Sequence, residues 1–254
     1  IIKNGNKILE GPITNVEFEN VSFGYGKSLS LRNVSLSFKL GQMTALVGPT
    51  GSGKTTLVHM IPRFYEAMSG KILINGVDIK EYDIESLRKK IAIVSQDTQI
   101  MNTTIRDNIT YGMENSATDS KLDEVAKKAQ IYDFIKSLSA GYDTRVGDKG
   151  VRLSGGEKQR ICIARALLRK PDIFIFDEAT SSLDMDTELR IQKAIEDHTK
   201  NHTVVVIAHR LSTIKNADRI IVLENGNISE DGEFDALIRR QGRFNFYWQF
   251  QVID

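Results

Sequence analysis

A glycine-rich run has residue types and spacing that suit phosphate binding. The run Gly48-Pro49-Thr50-Gly51-Ser52-Gly53-Lys54-Thr55 fits the pattern G-x-x-x-x-G-K-[ST]. Its glycines let successive backbone N–H groups turn towards phosphate oxygens. A lysine at this position reaches the β- and γ-phosphates of a bound polyphosphate, and the following hydroxyl ligates Mg²⁺. The alternative is a glycine-rich turn that carries a solvated lysine.

An acidic pair, Asp177-Glu178, directly follows a second apolar run. Two carboxylates at the mouth of a buried strand are costly to desolvate unless a cation or a proton compensates them. In the functional interpretation, Asp177 binds Mg²⁺ directly or through water, and Glu178 acts as general base on an attacking water. In the alternative, the aspartate caps a helix and the glutamate lies on the surface.

A second helix start has the sequence Leu153-Ser154-Gly155-Gly156-Glu157. Ser154 at the N-cap and Glu157 three residues later form a capping box. The two glycines are left unexplained, because each costs about 1 kcal/mol relative to alanine within a helix. They allow an anion to approach the free N–H groups closely. Spacing alone does not decide whether the two anion sites serve one nucleotide within a chain or between two chains.

Four short apolar runs must position these residues. Each is rich in β-branched or aromatic residues, which is typical of strands buried on both faces of a parallel sheet. They are residues 44–47, 91–94, 173–176 and 204–207, and they lead into Gly48, Ser95-Gln96, Asp177-Glu178 and His209. Ligands of open α/β sheets lie at the carboxyl ends of the strands, so we expect these residues to share one site.

The other elements complete an α/β fold. Residues 15–23 and 31–38 alternate between apolar and polar, which predicts antiparallel strands with a turn around Gly24-Tyr25-Gly26. Further strands are expected at 72–74 and 219–223. Helical spacing appears in residues 55–61, 119–130, 132–138, 153–168 and 188–198.

We expect one domain over residues 1–254. Residues 1–96 and 171–254 would form its α/β core, with antiparallel strands at the N-terminal end. Residues 97–170 would form an inserted helical subdomain, because no buried-strand run occurs there. The chain begins at Ile1 rather than Met, so we expect it to be part of a longer protein.

Composition excludes several classes of protein. The 34 Lys and Arg residues nearly balance the 33 Asp and Glu residues, and a net charge of +1 argues against a broad nucleic-acid surface. One cysteine, Cys162, excludes an internal disulfide, and we interpret it as an inert packing residue. No apolar run approaches the roughly 18 residues of a membrane span.

The ordered set of motifs resembles the nucleotide-binding domain of an ATP-binding cassette (ABC) transporter over essentially the whole chain. Residues 48–56 resemble the Walker A loop, 173–177 the Walker B strand and 153–157 the family signature. Gln96 is similar to the Q-loop glutamine, Glu178 to the catalytic glutamate, Asp184 to the D-loop aspartate and His209 to the switch histidine.

The resemblance implies a P-loop fold, with ATP and Mg²⁺ as ligands. Catalysis would involve Lys54, Gln96, Glu178 and His209, and the metal would be held by Thr55, Gln96 and Asp177. The implied nucleotide contacts are Tyr25, Gly48, Pro49, Thr50, Gly51, Ser52, Gly53, Lys54, Thr55, Thr56, Gln96, Ser154, Gly155, Gly156, Glu157, Asp184 and His209.

Four of these positions have simpler interpretations. Tyr25 matches the aromatic residue that stacks on adenine, but it could be a turn tyrosine. Gln96 could be a polar strand cap, and His209 a core histidine with satisfied hydrogen bonds. Asp184 could cap a helix that begins at Met185.

The resemblance also implies partners. Two such domains would pack head to tail, with each ATP between the Walker A loop of one chain and the signature helix of the other. Residues 103–109, 144–150 and 208–213 resemble exporter motifs, although Met101 stands where a phenylalanine is common. We therefore expect a homodimeric half-transporter with an N-terminally fused membrane domain, at the cytoplasmic face of a membrane.

Three other classes stay open. The first is the separate ATPase subunit of an importer. The second is a soluble ABC ATPase that acts on DNA or ribosomes, which the charge balance and the compact helical insert argue against. The third is a nucleotide-binding module without activity, which Glu178 argues against.

Overall fold

The computed structural model describes residues 2–26, 28–95, 97–113, 117–177, 201–207 and 211–250, with positions 187, 190, 191 and 193. The chain divides into two compact units. The first contains the described parts of Ile1–Ile91, Asp172–Asp177 and Thr199–Asp254. The second contains the described parts of Ala92–Pro171 and Glu178–His198.

An antiparallel sheet forms one layer of the first unit. Its strands β1 (Asn15–Tyr25), β2 (Ser28–Lys39), β4 (Ser69–Ile74) and β5 (Val77–Asp78) lie in the order β2-β1-β4-β5. The alternating pattern therefore predicted the first two strands correctly. The predicted turn was wrong in extent, because β1 continues through Tyr25, which pairs with Ser28.

The second layer of the first unit is mostly parallel, as predicted. Its strands lie in the order β10-β9-β3-β8-β7. They are β3 (Met43–Val47), β7 (Ile173–Asp177), β8 (Thr203–Ile207), β9 (Arg219–Glu224) and β10 (Asn227–Gly232). Every residue of β3, β7 and β8 is buried, which is why these segments read as continuous apolar runs. Only the β9–β10 pair among these strands is antiparallel.

Five α-helices and one short 3-10 helix (Ile79–Glu81) belong to the described part of the first unit. The α-helices are α1 (Lys54–Met60), α2 (Ile84–Lys89), α7 (Leu211–Lys215), α8 (Phe234–Arg240) and α9 (Arg243–Phe250). The first of these confirms the helix predicted directly after the glycine-rich run. No helix among the described residues is both long and apolar enough to cross a bilayer.

The second unit contains strand β6 (Ile91–Ser95) for most of its length, and four α-helices for which both ends lie within the described residues. The helices are α3 (Ile105–Thr110), α4 (Asp119–Lys128), α5 (Tyr132–Ser137) and α6 (Gly155–Arg169). The helical spacing predicted α4, α5 and α6 to within two residues. Arg165 of α6 fixes the end of the shorter α3, since its Nε donates to the Asn108 carbonyl at 2.7 Å.

Cys162 lies in the buried face of α6, as expected of a packing residue. Burial raises the pKa of its thiol, and the nearby Arg165 guanidinium opposes that effect only in part. A raised pKa keeps the thiol protonated and poorly nucleophilic.

A buried arginine ties three segments of the first unit together. Arg63 is 1% exposed, and its Nη1 donates to the carbonyls of Ile79 and Tyr82, each at 3.3 Å. Its Nη2 donates to the Lys3 carbonyl at 2.8 Å and to the Glu66 carboxylate at 2.7 Å. A charge this deeply buried needs close compensation, and the four bonds of its two Nη atoms provide it, although its buried Nε has no partner. Arg63 thus fixes these segments to the end of α1.

Replacing Arg63 with alanine should therefore lower the free energy of unfolding by about 2–5 kcal/mol, because it leaves buried carbonyls and a carboxylate without their donor. Urea unfolding followed by the fluorescence of Trp248, which is the single tryptophan of the chain, measures this change. The control is Arg32→Ala at an exposed position, which should change stability by no more than about 0.5 kcal/mol. Equal unfolding midpoints for the two variants would contradict the role given to Arg63.

Candidate active site

The glycine-rich run forms a closed loop between β3 and α1. Gly48, Gly51 and Gly53 have φ angles of 146°, 78° and 107°, which lie in the region that favours glycine. A Cβ atom at Gly48 would lie 2.0 Å from the Leu223 carbonyl oxygen, and one at Gly53 would lie 2.6 Å from the Ser30 carbonyl oxygen. Two independent reasons therefore require glycine at these two positions: the backbone conformation is unfavourable for other residues, and a Cβ atom would clash with a neighbouring carbonyl.

The buried side chain of Lys54 stabilises this loop. Lys54 is the first residue of α1 and is 7% exposed. Its Nζ donates to the Gly48 carbonyl at 2.6 Å and to the Pro49 carbonyl at 3.1 Å. The structure thus places an ammonium group against the backbone that the sequence predicts as a phosphate cradle.

Thr55 and Asp177 come together, although 122 positions separate them in the chain. The Thr55 hydroxyl donates to Asp177 Oδ1 at 3.4 Å. Asp177 is the last residue of β7 and is buried. A hydroxyl and a carboxylate at one point are the oxygen ligands that Mg²⁺ takes, with water completing its shell. This pair fits a magnesium ion, even though the described residues contain no group of three or more His, Cys, Asp or Glu side chains that could hold a metal.

His59 is a neighbour of this pair that the sequence analysis did not single out. Its Nε2 lies 3.9 Å from Asp177 Oδ2. Burial lowers the pKa of His59 below the ordinary histidine value of 6.5, and the charge of Asp177 opposes part of this shift. His59 follows Thr55 by four residues on α1, so helical spacing would have placed the two side chains on one face.

Tyr25 also lies beside α1. Its hydroxyl is 3.4 Å from Thr56 Oγ1, and the residue is 52% exposed. The residue predicted to contact the base therefore sits next to the helix that begins at Lys54. Tyr25 is the last residue of β1, where it pairs with Ser28.

The signature residues belong to the second unit. Ser154 Oγ accepts a hydrogen bond from the Glu157 N–H at 3.3 Å, and the Glu157 carboxylate accepts one from the Ser154 N–H at 2.8 Å. This reciprocal pair confirms the predicted capping box at the start of α6. Ser154 and Gly155 are exposed, so this helix start is accessible on its own unit.

Four predicted site residues lie outside the described residues. They are Gln96, Glu178, Asp184 and His209. Their roles therefore stay predictions, as do the roles assigned to the other positions. What the structure brings together is the glycine loop, Lys54, Thr55, Asp177 and Tyr25, all within the first unit.

Comparisons with known proteins agree with this site. A family model described as ABC transporter matches residues 31–181. The "Heterocyst differentiation ATP-binding protein HepA" of Nostoc sp. is 49% identical over 251 residues, which are 98% of this chain and 41% of that protein. The "Putative multidrug export ATP-binding/permease protein YgaD" of Bacillus subtilis is 48% identical over 241 residues, again 41% of its length.

A solved structure shares the whole fold. It is described as "Structure of a bacterial Atm1-family ABC exporter with ATP bound", and it matches with a TM-score of 0.93 and 42% identity. The match covers 100% of this chain and 44% of that chain. The present chain thus spans about two fifths of the length of the relatives it matches.

The chain belongs to the ABC transporter family, and its fold is that of the ATP-binding domain of the family's exporters. The matched region begins in β2 and runs past Asp177, so it includes the glycine loop, the signature helix and the β7 carboxylate. The resemblance drawn from the sequence motifs is confirmed at the level of family and fold.

The depressed pKa of His59 makes stability depend on pH. Because the folded state binds this proton less tightly than the unfolded state does, the free energy of unfolding should fall as the pH drops through the ordinary histidine pKa of 6.5. His59→Asn removes that dependence while keeping a polar side chain. As the pH falls from about 8 to about 5, the free energy of unfolding of wild type should therefore decrease more than that of the variant.

Urea titrations at several pH values measure this difference, in which the other histidines cancel. A difference that is constant across the range, or one that favours wild type at low pH, would contradict the lowered pKa of His59.

Proposed function

We propose that this chain binds Mg-ATP at its glycine loop and hydrolyses it to drive export through an associated membrane domain. The observation that carries this proposal is the convergence of the Lys54 ammonium group, the Thr55 hydroxyl and the Asp177 carboxylate around one loop. A cation for the phosphates and oxygen ligands for a metal are the parts that phosphoryl transfer requires.

The chain's own residues divide the work. The loop N–H groups and Lys54 bind and orient the phosphates, and Thr55 and Asp177 hold the metal. Bound magnesium would supply charge neutralisation on the phosphate oxygens. Glu178 directly follows Asp177 in the chain, which supports its role as the base that accepts the proton of the attacking water. Gln96 and His209 would complete the catalytic set by family resemblance.

A second copy of the chain would complete each site. The exposed start of α6 leaves Ser154 and Gly155 accessible to an anion. In the head-to-tail arrangement, these residues would bind the nucleotide held by the loop of the other copy, with Asp184 at the interface. A twofold-symmetric dimer then contains two equivalent sites.

The membrane partner is inferred from the relatives. The printed name of the Bacillus relative combines ATP binding with a permease in one protein, of which this chain covers 41%. This supports a membrane domain fused to the N-terminal side of the present chain, and hence a position at the cytoplasmic face of a membrane.

The proposal predicts a specific defect for Glu178→Gln. The variant should bind ATP as tightly as wild type, because the phosphate loop is intact, but hydrolyse it roughly 10²–10⁴ times more slowly, because the proton acceptor is lost. With hydrolysis blocked, size-exclusion chromatography should show a dimer that forms only with ATP. A phosphate-release assay at equal protein concentration gives the rate.

The matched control is Glu10→Gln, which removes an exposed carboxylate from the segment before β1 and should keep the wild-type rate. A Glu178→Gln variant that turns over as fast as this control would contradict the role of Glu178. An absence of ATP binding to the folded wild-type domain would contradict the proposed function itself.

A further inference from the structure

Three aromatic rings form a cluster beside α1, made of Phe23, Tyr25 and Tyr65. The centroid of the Tyr25 ring lies 5.1 Å from that of Phe23 and 5.4 Å from that of Tyr65. Both contacts are edge-to-face, with interplanar angles of 86° and 89°. The Phe23 and Tyr65 rings also touch, at 5.0 Å and 32°. Two rings of similar orientation thus fix the plane of the third.

The three rings differ in exposure. Tyr25 is 52% exposed, Phe23 is 9% exposed, and Tyr65 is half-buried. An exposed aromatic side chain ordinarily loses rotamer freedom when a ligand stacks on it, which weakens binding. Here the two less exposed rings restrict Tyr25 before a ligand arrives. The neighbouring Tyr25 hydroxyl, together with burial, raises the pKa of Tyr65, in agreement with the contact of the two rings.

Tyr65 is itself held firmly by the end of α1. The Phe64 N–H donates to the His59 carbonyl at 3.1 Å, which closes the turn directly before Tyr65. The Arg88 guanidinium donates to the carbonyls of Pro62 and Arg63 at 2.9 and 3.0 Å. These two bonds restrict the backbone of the same turn. The ring of Tyr65 therefore extends from a fixed backbone.

Helix α1 thus connects the residue assigned to the phosphates with the residue that contacts the Tyr25 ring. Its first residue is Lys54, whose ammonium lies in the glycine loop, and the turn after its last residue carries Tyr65. Between them, Thr56 lies 3.4 Å from the Tyr25 hydroxyl. The distance from the phosphate loop to the Tyr25 ring is consequently set by one rigid segment.

We propose that Tyr65 is a positioning residue that holds the Tyr25 ring ready to stack on the heteroaromatic base of the nucleotide. This inference rests on the proposed function, since it assigns a task to the base contact of that same site. Tyr65 touches Tyr25 and acts on the base only through it.

The test is a double-mutant cycle with two ligands. Isothermal titration calorimetry measures the affinities of ATP and of inorganic tripolyphosphate, which lacks the base, at one magnesium concentration. Tyr65→Ala should weaken ATP binding about three- to tenfold, the amount expected for one aromatic pair, and leave tripolyphosphate binding unchanged. In a Tyr25→Ala background, Tyr65→Ala should cause no further loss, because the ring that it positions is absent.

Two further variants separate positioning from general damage. Tyr65→Phe keeps the ring contacts and should bind ATP within about twofold of wild type. Tyr111→Ala removes an exposed tyrosine of the second unit and should bind both ligands like wild type. Thermal unfolding of each variant confirms that the domain is folded.

The outcomes distinguish the inference from the function on which it rests. Unchanged ATP affinity in Tyr65→Ala, an equal loss for tripolyphosphate, or the same loss in the Tyr25→Ala background would overturn the positioning role. If wild type binds ATP no more tightly than tripolyphosphate, or if Tyr25→Ala leaves ATP affinity unchanged, then the proposed base contact is itself wrong.

Discussion

A buried ammonium group inside a glycine loop is the interaction on which the site depends. Lys54 is almost fully removed from solvent, and burying a charge is costly unless it is closely compensated. The carbonyls of Gly48 and Pro49 supply part of that compensation, and the loop reaches them only because glycines accept its backbone angles. In the proposed function, a polyphosphate brings negative charge to the same ammonium, so the geometry that keeps Lys54 buried would also select the ligand.

Sheet topology explains how distant residues meet at this loop. β8 lies between β3 and β7 in a parallel arrangement, so the carboxyl ends of all three strands face one edge. The loop follows β3, and Asp177 ends β7, which brings Thr55 within hydrogen-bonding distance of that carboxylate. The antiparallel sheet adds Tyr25 at the end of β1. The residues to which we assign the phosphate and metal contacts thus come from one layer of the first unit, and the residue assigned to the base comes from the other.

Local chemistry was readable from the sequence, but of the long-range contacts only the meeting of Thr55 and Asp177 at the strand ends was predicted. Buried strands, the glycine loop and the Ser154–Glu157 capping box follow from residue type and spacing, and the structure confirms them. The strand position of Tyr25 was missed because β1 carries register shifts between Val21 and Phe23 and again before Gly24, which alternation alone does not reveal. Arg63 and Tyr65 were missed because their partners lie on other segments, whereas His59 could have been found by its spacing from Thr55.

The central claim is that the triphosphate contributes more to nucleotide affinity than the nucleoside does. Calorimetric titration of the domain with ATP, ADP and AMP at one magnesium concentration tests it directly. The account predicts that affinity falls stepwise as the γ- and then the β-phosphate is removed, since Lys54 and the loop N–H groups lose their partners. Equal affinities for AMP and ATP would contradict it.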